Sequence, residues 1–253
     1  MDDTQLQLLM DFHRRATRQG PGGEAETRRA MELAGLDRSR PLKIADIGCG
    51  TGASTILLAS ELDAEITAVD FLQEFLDELA SRAQEHGVTD RITTLNCSME
   101  GLPFVKEEFD VIWSEGAIYN MGFEAGVSGW SHFLKPGGKL IVSEMTWLSS
   151  NRPADLQIYW DGAYPEIDVA SAKIGLLERH GYCPEAYFVL PTHCWLENYY
   201  RPMQSRFDEF LERHGQSEQA KAIVAEEKQE IALYEKNSAY YGYGVYIAKK
   251  CSV

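Results

Sequence analysis

A chain of 253 residues, 44% of them hydrophobic, has the material for one large domain with a full core. Its net charge of −15 repels nucleic acid and anionic lipid, and the one basic cluster, RRATR near residue 15, reads as a solvated helix face. No run approaches the roughly 18 apolar residues of a membrane span, and MDDTQLQLLMDFHRR lacks the apolar centre of a signal peptide. Cys49, Cys97, Cys183, Cys194 and Cys251 are odd in number and show no CxxC or Cys/His ligand spacing. The expectation is therefore buried thiols, no disulfide framework, no metal and a reducing cytoplasm.

In chain order, Leu6, Leu9 and Met10 stand at helical spacing within residues 3–19. GPGG (Gly20 to Gly23) breaks the chain, and EAETRRAMELAGL predicts a second helix. From Leu42 short β-branched runs alternate with helical patterns. LKIADI, EITAVD, RITTLN, FDVIWSE and KLIVSEM read as strands one to five, the fifth introduced by the turn KPGG. STILLASEL, LQEFLDELASRAQEHG and FEAGVSGWSHFL read as the helices between them. SSNRPADLQIYWDGAYPEID is aromatic and irregular, and VASAKIGLLERHGY is helical. EAYFVLP is a sixth strand, residues 197–237 are a charged helical insertion, and YGYGVYIAKK is a seventh strand. This order predicts an α/β, Rossmann-like sheet with helices on both faces. The whole of 1–253 is read as a single domain with a helical cap: an N-terminal lid segment, 1–36, and the insertion 197–237.

Chemistry concentrates at KIADIGCGTGAS, residues 43–54. Glycines 48, 50 and 52 end a strand and open a helix, so a ligand can approach the backbone and meet free N–H groups. Alone, GCGTGA also fits the dinucleotide pattern G-x-G-x-x-G/A. Asp70 ends the second strand and lies beside the loop, where a carboxylate accepts hydrogen bonds from ribose hydroxyls. Asp46 would repel a phosphate and suits an amino group or a cation.

The glycine spacing with Asp46 resembles the first motif of class I S-adenosylmethionine (SAM) methyltransferases, loosely D-x-G-x-G-x-G. NCSMEGLPF, FDVIWSEGAIYNM and LKPGGKLIVSE are similar to that family's adenine-binding segment, fourth-strand motif and entry to strand five. Within the family the chain looks most like the small-molecule enzymes related to ubiquinone/menaquinone biosynthesis. The resemblance implies a seven-stranded sheet of order 3-2-1-4-5-7-6 with strand seven antiparallel. It implies that Gly48, Cys49, Gly50 and Gly52 border the methionine part of SAM, with Asp46 near its amino group. Asp70 takes the ribose, Phe71 the adenine face, and Ser98 and Met99 the adenine edge. At position 98 the family usually carries an acid. Ser114 and Glu115 fall where the methyl group is presented.

Methyl transfer from a sulfonium needs alignment, exclusion of water and, for a protonated nucleophile, a base. Glu115, Tyr119 and His193 are the candidate catalytic residues. Aromatics of YWDGAY and WLENYY, with Glu115 or Asp161, would suit an amine-bearing or cationic acceptor. The expected partner is a small-molecule methyl acceptor, with S-adenosylhomocysteine as product, no nucleic acid, no membrane and a possible homodimer. Competing readings are an NAD(P)-dependent oxidoreductase and a non-catalytic SAM-binding protein.

Overall fold

The computed structural model describes residues 3–251, without the side chains of Asp3, Thr4 and Leu6. The place of Leu6 on the first helix's apolar face thus lies outside the described residues. The strands are β1 Leu42–Ile47, β2 Ala64–Asp70, β3 Ile92–Asn96, β4 Phe109–Glu115, β5 Leu134–Trp147, β6 Asp168–Val169, β7 Tyr182–Val189 and β8 Tyr241–Lys250. The order is β3-β2-β1-β4-β5-β8-β7, with the short β6 paired to the end of β5. β1 to β5 are mutually parallel; β8 runs antiparallel between β5 and β7. The order read from the sequence holds, with β6 added.

Alternation along the strands feeds two cores. Ile44, Val111, Trp113 and Ile141 face one side, which holds α2 (Glu24–Leu33), α3 (Ala53–Glu61) and α4 (Gln73–Glu85). Ala45, Ile112, Leu140 and Val142 face the other, which holds α5 (Phe123–Trp130) and α7 (Ala170–Arg179). All eight of these strand residues are buried. Parallel strands end together, so β1, β2 and β4 deliver Ile47, Asp70 and Glu115 to one rim.

The first helix, α1, stops at Asp3–Arg14 rather than continuing to residue 19. The chain then forms an open strap, residues 15–23, before α2 begins after Gly23. The stretch after β5, read as irregular, contains α6 (Ala154–Ala163) behind Pro153. The insertion holds α8 (Thr192–Trp195), a π-helical turn at Leu196–Tyr200, α9 (Arg201–Gln204), α10 (Phe207–Arg213) and α11 (Glu218–Asn237). It grips α1: the Phe12 ring lies 5.8 Å from Phe207 and 5.0 Å from Phe210, and Asp11 accepts from Arg213 at 2.8 Å.

The expectation of no disulfide is corrected. Cys183 and Cys251 form one, with their Cα atoms 5.8 Å apart. The antiparallel register places Tyr182 opposite Lys250 and Cys183 opposite Lys249, so Cys251, just past the end of β8, lies diagonally across from Cys183 although 68 positions separate them in sequence. No local spacing could announce that pair.

Candidate active site

A cavity of about 450 Å³ opens where β1, β2 and β4 end. Its walls come from the strap (Arg18 to Pro21), the glycine loop, the ends of β2 and β4, and segment 97–100. Gly48, Cys49 and Gly50 face it. Gly50 has φ +55°, and a Cβ there would lie 2.5 Å from Gln19 Oε1. Gln19 is fixed in turn, since its Oε1 accepts from Thr51 N at 2.9 Å and Thr51 Oγ1 at 3.0 Å. Gly52 is not on the wall. Its φ is +87° and its Cβ would meet Leu79 Cδ1 at 2.1 Å, so this glycine lets α3 and α4 close together.

Asp46 is almost wholly buried and accepts from Thr55 Oγ1 at 2.6 Å. Burial pushes its pKa up to about 7, helped by Glu115 and Asp70 and opposed by Thr55 and Arg18. Asp70 is also raised by burial, against backbone N–H bonds from Leu72 and Gly50, each 2.9 Å. Phe71 is 71% exposed, a free ring at the rim. Cys97, Ser98, Met99 and Glu100 complete that end.

At the other end Glu115 has both oxygens occupied. Oε2 accepts from Arg18 Nη2 at 2.5 Å; Oε1 accepts from Thr27 Oγ1 at 2.8 Å and Trp113 Nε1 at 3.1 Å. Such a carboxylate is a clamp on the strap. Ser114 does not reach the cavity; it is buried and donates to Ile47 O at 2.8 Å. Tyr119, 40% exposed, and Asn120 lie on the wall beyond Glu115. His193 is 51% exposed by its side chain, off that wall, with Nε2 3.3 Å from Glu26 Oε1. Arg18, Gln19 and Thr27 had no signal in the sequence, because their partners lie far along the chain.

Beyond Tyr119 the surroundings are aromatic and acidic. Its ring is 6.1 Å from that of Tyr164. Burial raises the Tyr119 pKa, and the charges of Glu230 and Glu144 raise it further. Glu230 accepts from Tyr200 Oη at 2.9 Å. Glu144 is buried 3.4 Å from Lys173, its pKa brought up to about 7 by burial against the pull of that ammonium. Asp161 is exposed and bonded to Gln157 on its own helix.

The sheet order, the glycine loop and the carboxylates at its rim define the fold of class I SAM-dependent methyltransferases. Residues 44–138 match a family model described as a methyltransferase domain. The chain is similar to the 27-O-demethylrifamycin SV methyltransferase of Amycolatopsis mediterranei, 30% identical over 53% of this chain and 49% of that one. It is also similar to the ubiquinone/menaquinone biosynthesis C-methyltransferase of Allorhizobium ampelinum, 33% identical over 41% of this chain and 42% of that one. The matched region thus spans about half the length of these curated relatives or less. In fold, it superposes on a SAM-dependent methyltransferase from Geobacter sulfurreducens in complex with S-adenosylhomocysteine, with a TM-score of 0.82. That pair is 19% identical, covering 96% of this chain and 97% of the other. The chain thus has the fold of class I SAM-dependent methyltransferases, and its residues 44–138 match a methyltransferase domain.

Proposed function

We propose that this protein transfers the methyl group of SAM to a small-molecule acceptor by in-line displacement. The carrying observation is the charge of the cavity. Asp46, Asp70, Glu100 and Glu115 line it against one cation, Arg18, which Glu115 already engages. An anionic pyrophosphate, as in NAD(P), meets repulsion there; a sulfonium with an ammonium group meets attraction. SAM supplies an electrophilic methyl whose bond electrons return to sulfur, leaving a neutral thioether.

The chain's own residues then divide the work. Asp46 receives the amino group. Asp70 keeps lone pairs for ribose hydroxyls, while its backbone bonds fix its direction. Phe71 stacks on adenine, with Ser98 and Met99 at its edge. Glu115 holds Arg18, and through it the strap over the reaction, rather than taking a proton. The lid is segment 1–36, with the insertion 197–237 acting on it through α1.

For the acceptor, the Tyr119 and Asn120 wall, with the Tyr164 ring 6.1 Å from that of Tyr119 and the charges of Glu230 and Glu144 felt at Tyr119, supports an amine-bearing or cationic small molecule. Calorimetry tests both levels. S-adenosylhomocysteine binds and NADH does not, and Asp70→Ala weakens binding by about 1–3 kcal/mol. With S-adenosylhomocysteine present, small amines bind and carboxylic acids of similar size do not; the opposite preference overturns the acceptor assignment alone. Tight NADH binding overturns the whole reading.

A further inference from the structure

Three metal-ligating side chains meet outside the cavity. Glu26 comes from the first turn of α2; His193 and Cys194 come from α8. His193 Nε2 is 3.3 Å from Glu26 Oε1 and 3.7 Å from Cys194 Sγ, and all three ligand atoms lie within 4.8 Å of one another. Around a tetrahedral zinc ion, metal–ligand bonds of about 2.0–2.3 Å separate nitrogen from oxygen by about 3.3 Å and nitrogen from sulfur by about 3.6 Å. Both observed separations, 3.3 Å and 3.7 Å, match that figure closely.

The surroundings agree. Cys194 is fully buried, Glu26 is largely so, and His193 opens to solvent, which gives an entry path and a face for a fourth, water ligand. A thiolate, a carboxylate and a neutral imidazole balance a divalent charge without leaving a buried net charge. A thiolate in the set selects zinc over magnesium or calcium. The same place already joins the strap to the cap: Gly22 N donates to Cys194 O at 3.4 Å, and Asn198 Nδ2 donates to Gly22 O at 2.8 Å.

We propose that Glu26, His193 and Cys194 form a zinc site that staples the Gly20–Gly23 strap and α2 to the helical cap. The site is structural, set behind the Arg18–Glu115 clamp, and stands independently of the methyl-transfer reading. His193 thereby serves as a ligand and not as a base.

Cobalt(II) is the probe, added to the full chain after chelator treatment. One equivalent binds, with a thiolate-to-metal band in the near ultraviolet and visible bands of tetrahedral intensity. Zinc displaces it and raises the melting temperature. Cys194→Ser abolishes the thiolate band, whereas Cys97→Ser and His180→Gln keep it. His193→Gln, a change at an exposed side chain that leaves the fold intact by circular dichroism, weakens binding by more than the about 10–100-fold typical of outer-shell partners. Absence of the bands in the folded wild type overturns the proposal. So does their survival in Cys194→Ser or His193→Gln.

Discussion

Arg18 Nη2 lies 2.5 Å from Glu115 Oε2, an ion pair that ties the N-terminal strap to the end of β4. Its side chains are only 12% and 19% exposed, so neither charge is well solvated when the other is removed. The strap therefore closes over the cavity at the cost of a specific, mostly buried contact, and opening it breaks that contact.

Arg18→Ala leaves Glu115 charged and half-satisfied. The expected result is weaker S-adenosylhomocysteine binding, by about 1–3 kcal/mol, with faster dissociation, since the strap no longer latches. Arg18→Lys recovers part of it, because one ammonium replaces the guanidinium fork. Stopped-flow release of the ligand measures both. Unchanged dissociation in Arg18→Ala removes the strap from the cofactor gate.

Two glycines in one motif fail differently when substituted. Gly52→Ala puts a Cβ at 2.1 Å from Leu79 Cδ1, in the core and at φ +87°. Positive φ and overpacking together predict about 2–4 kcal/mol lost in denaturant unfolding. Gly50→Val instead strikes Gln19 at the cavity wall and removes ligand binding. A loss of cofactor affinity in Gly52→Ala at unchanged stability reverses this division.

The sheet was legible because buried parallel strands write near-continuous apolar runs, and LKIADI, FDVIWSE and KLIVSEM do so. That Gly48, Gly50 and Asp46 meet Asp70 at one cavity was legible, because the motif is local and Asp70 ends the neighbouring parallel strand. Other features, besides the disulfide and the strap residues, were not. Gly52 carries a motif position but a packing role, which depends on Leu79 of another helix. The role of Glu115 as a clamp depends on Arg18, 97 residues away. α6 was hidden because its aromatic, Gly-containing sequence has weak helical periodicity, and its start is set by Pro153. Local chemistry reads from sequence; partners that meet only through the fold do not.

The proposed place of Asp46 beside the cofactor's amino group predicts that binding depends on pH in a definite direction. Its pKa in the folded protein is about 7, above the ordinary 3.8, so the carboxyl is part-protonated near neutrality. An ammonium group prefers the ionised form. S-adenosylhomocysteine affinity therefore rises as pH goes from below 7 to above it, and a proton is released on binding near pH 7. The sign for stability is opposite. A raised acid favours folding in its protonated form, so its ionisation costs the free protein stability progressively between pH 4 and 7. Calorimetry in buffers of different ionisation heat counts the proton, and Asp46→Asn flattens the affinity profile. An affinity that falls with rising pH in the wild type contradicts the assignment of Asp46 to the amino group.

The Cys183–Cys251 bridge gives the most direct chemical count. Under denaturation without reductant, thiol titration finds three groups, Cys49, Cys97 and Cys194; with reductant it finds all five. The bridge closes a loop spanning 68 residues and ties β8 to the outermost strand, β7. In the chain-entropy account a loop of that length is worth about 4 kcal/mol. Reduction, or Cys251→Ser, therefore lowers the denaturant midpoint while leaving S-adenosylhomocysteine binding intact, because the bridge sits at the sheet edge away from β1 and β4. Five free thiols in unreduced protein purified under air remove the bridge and with it this contribution.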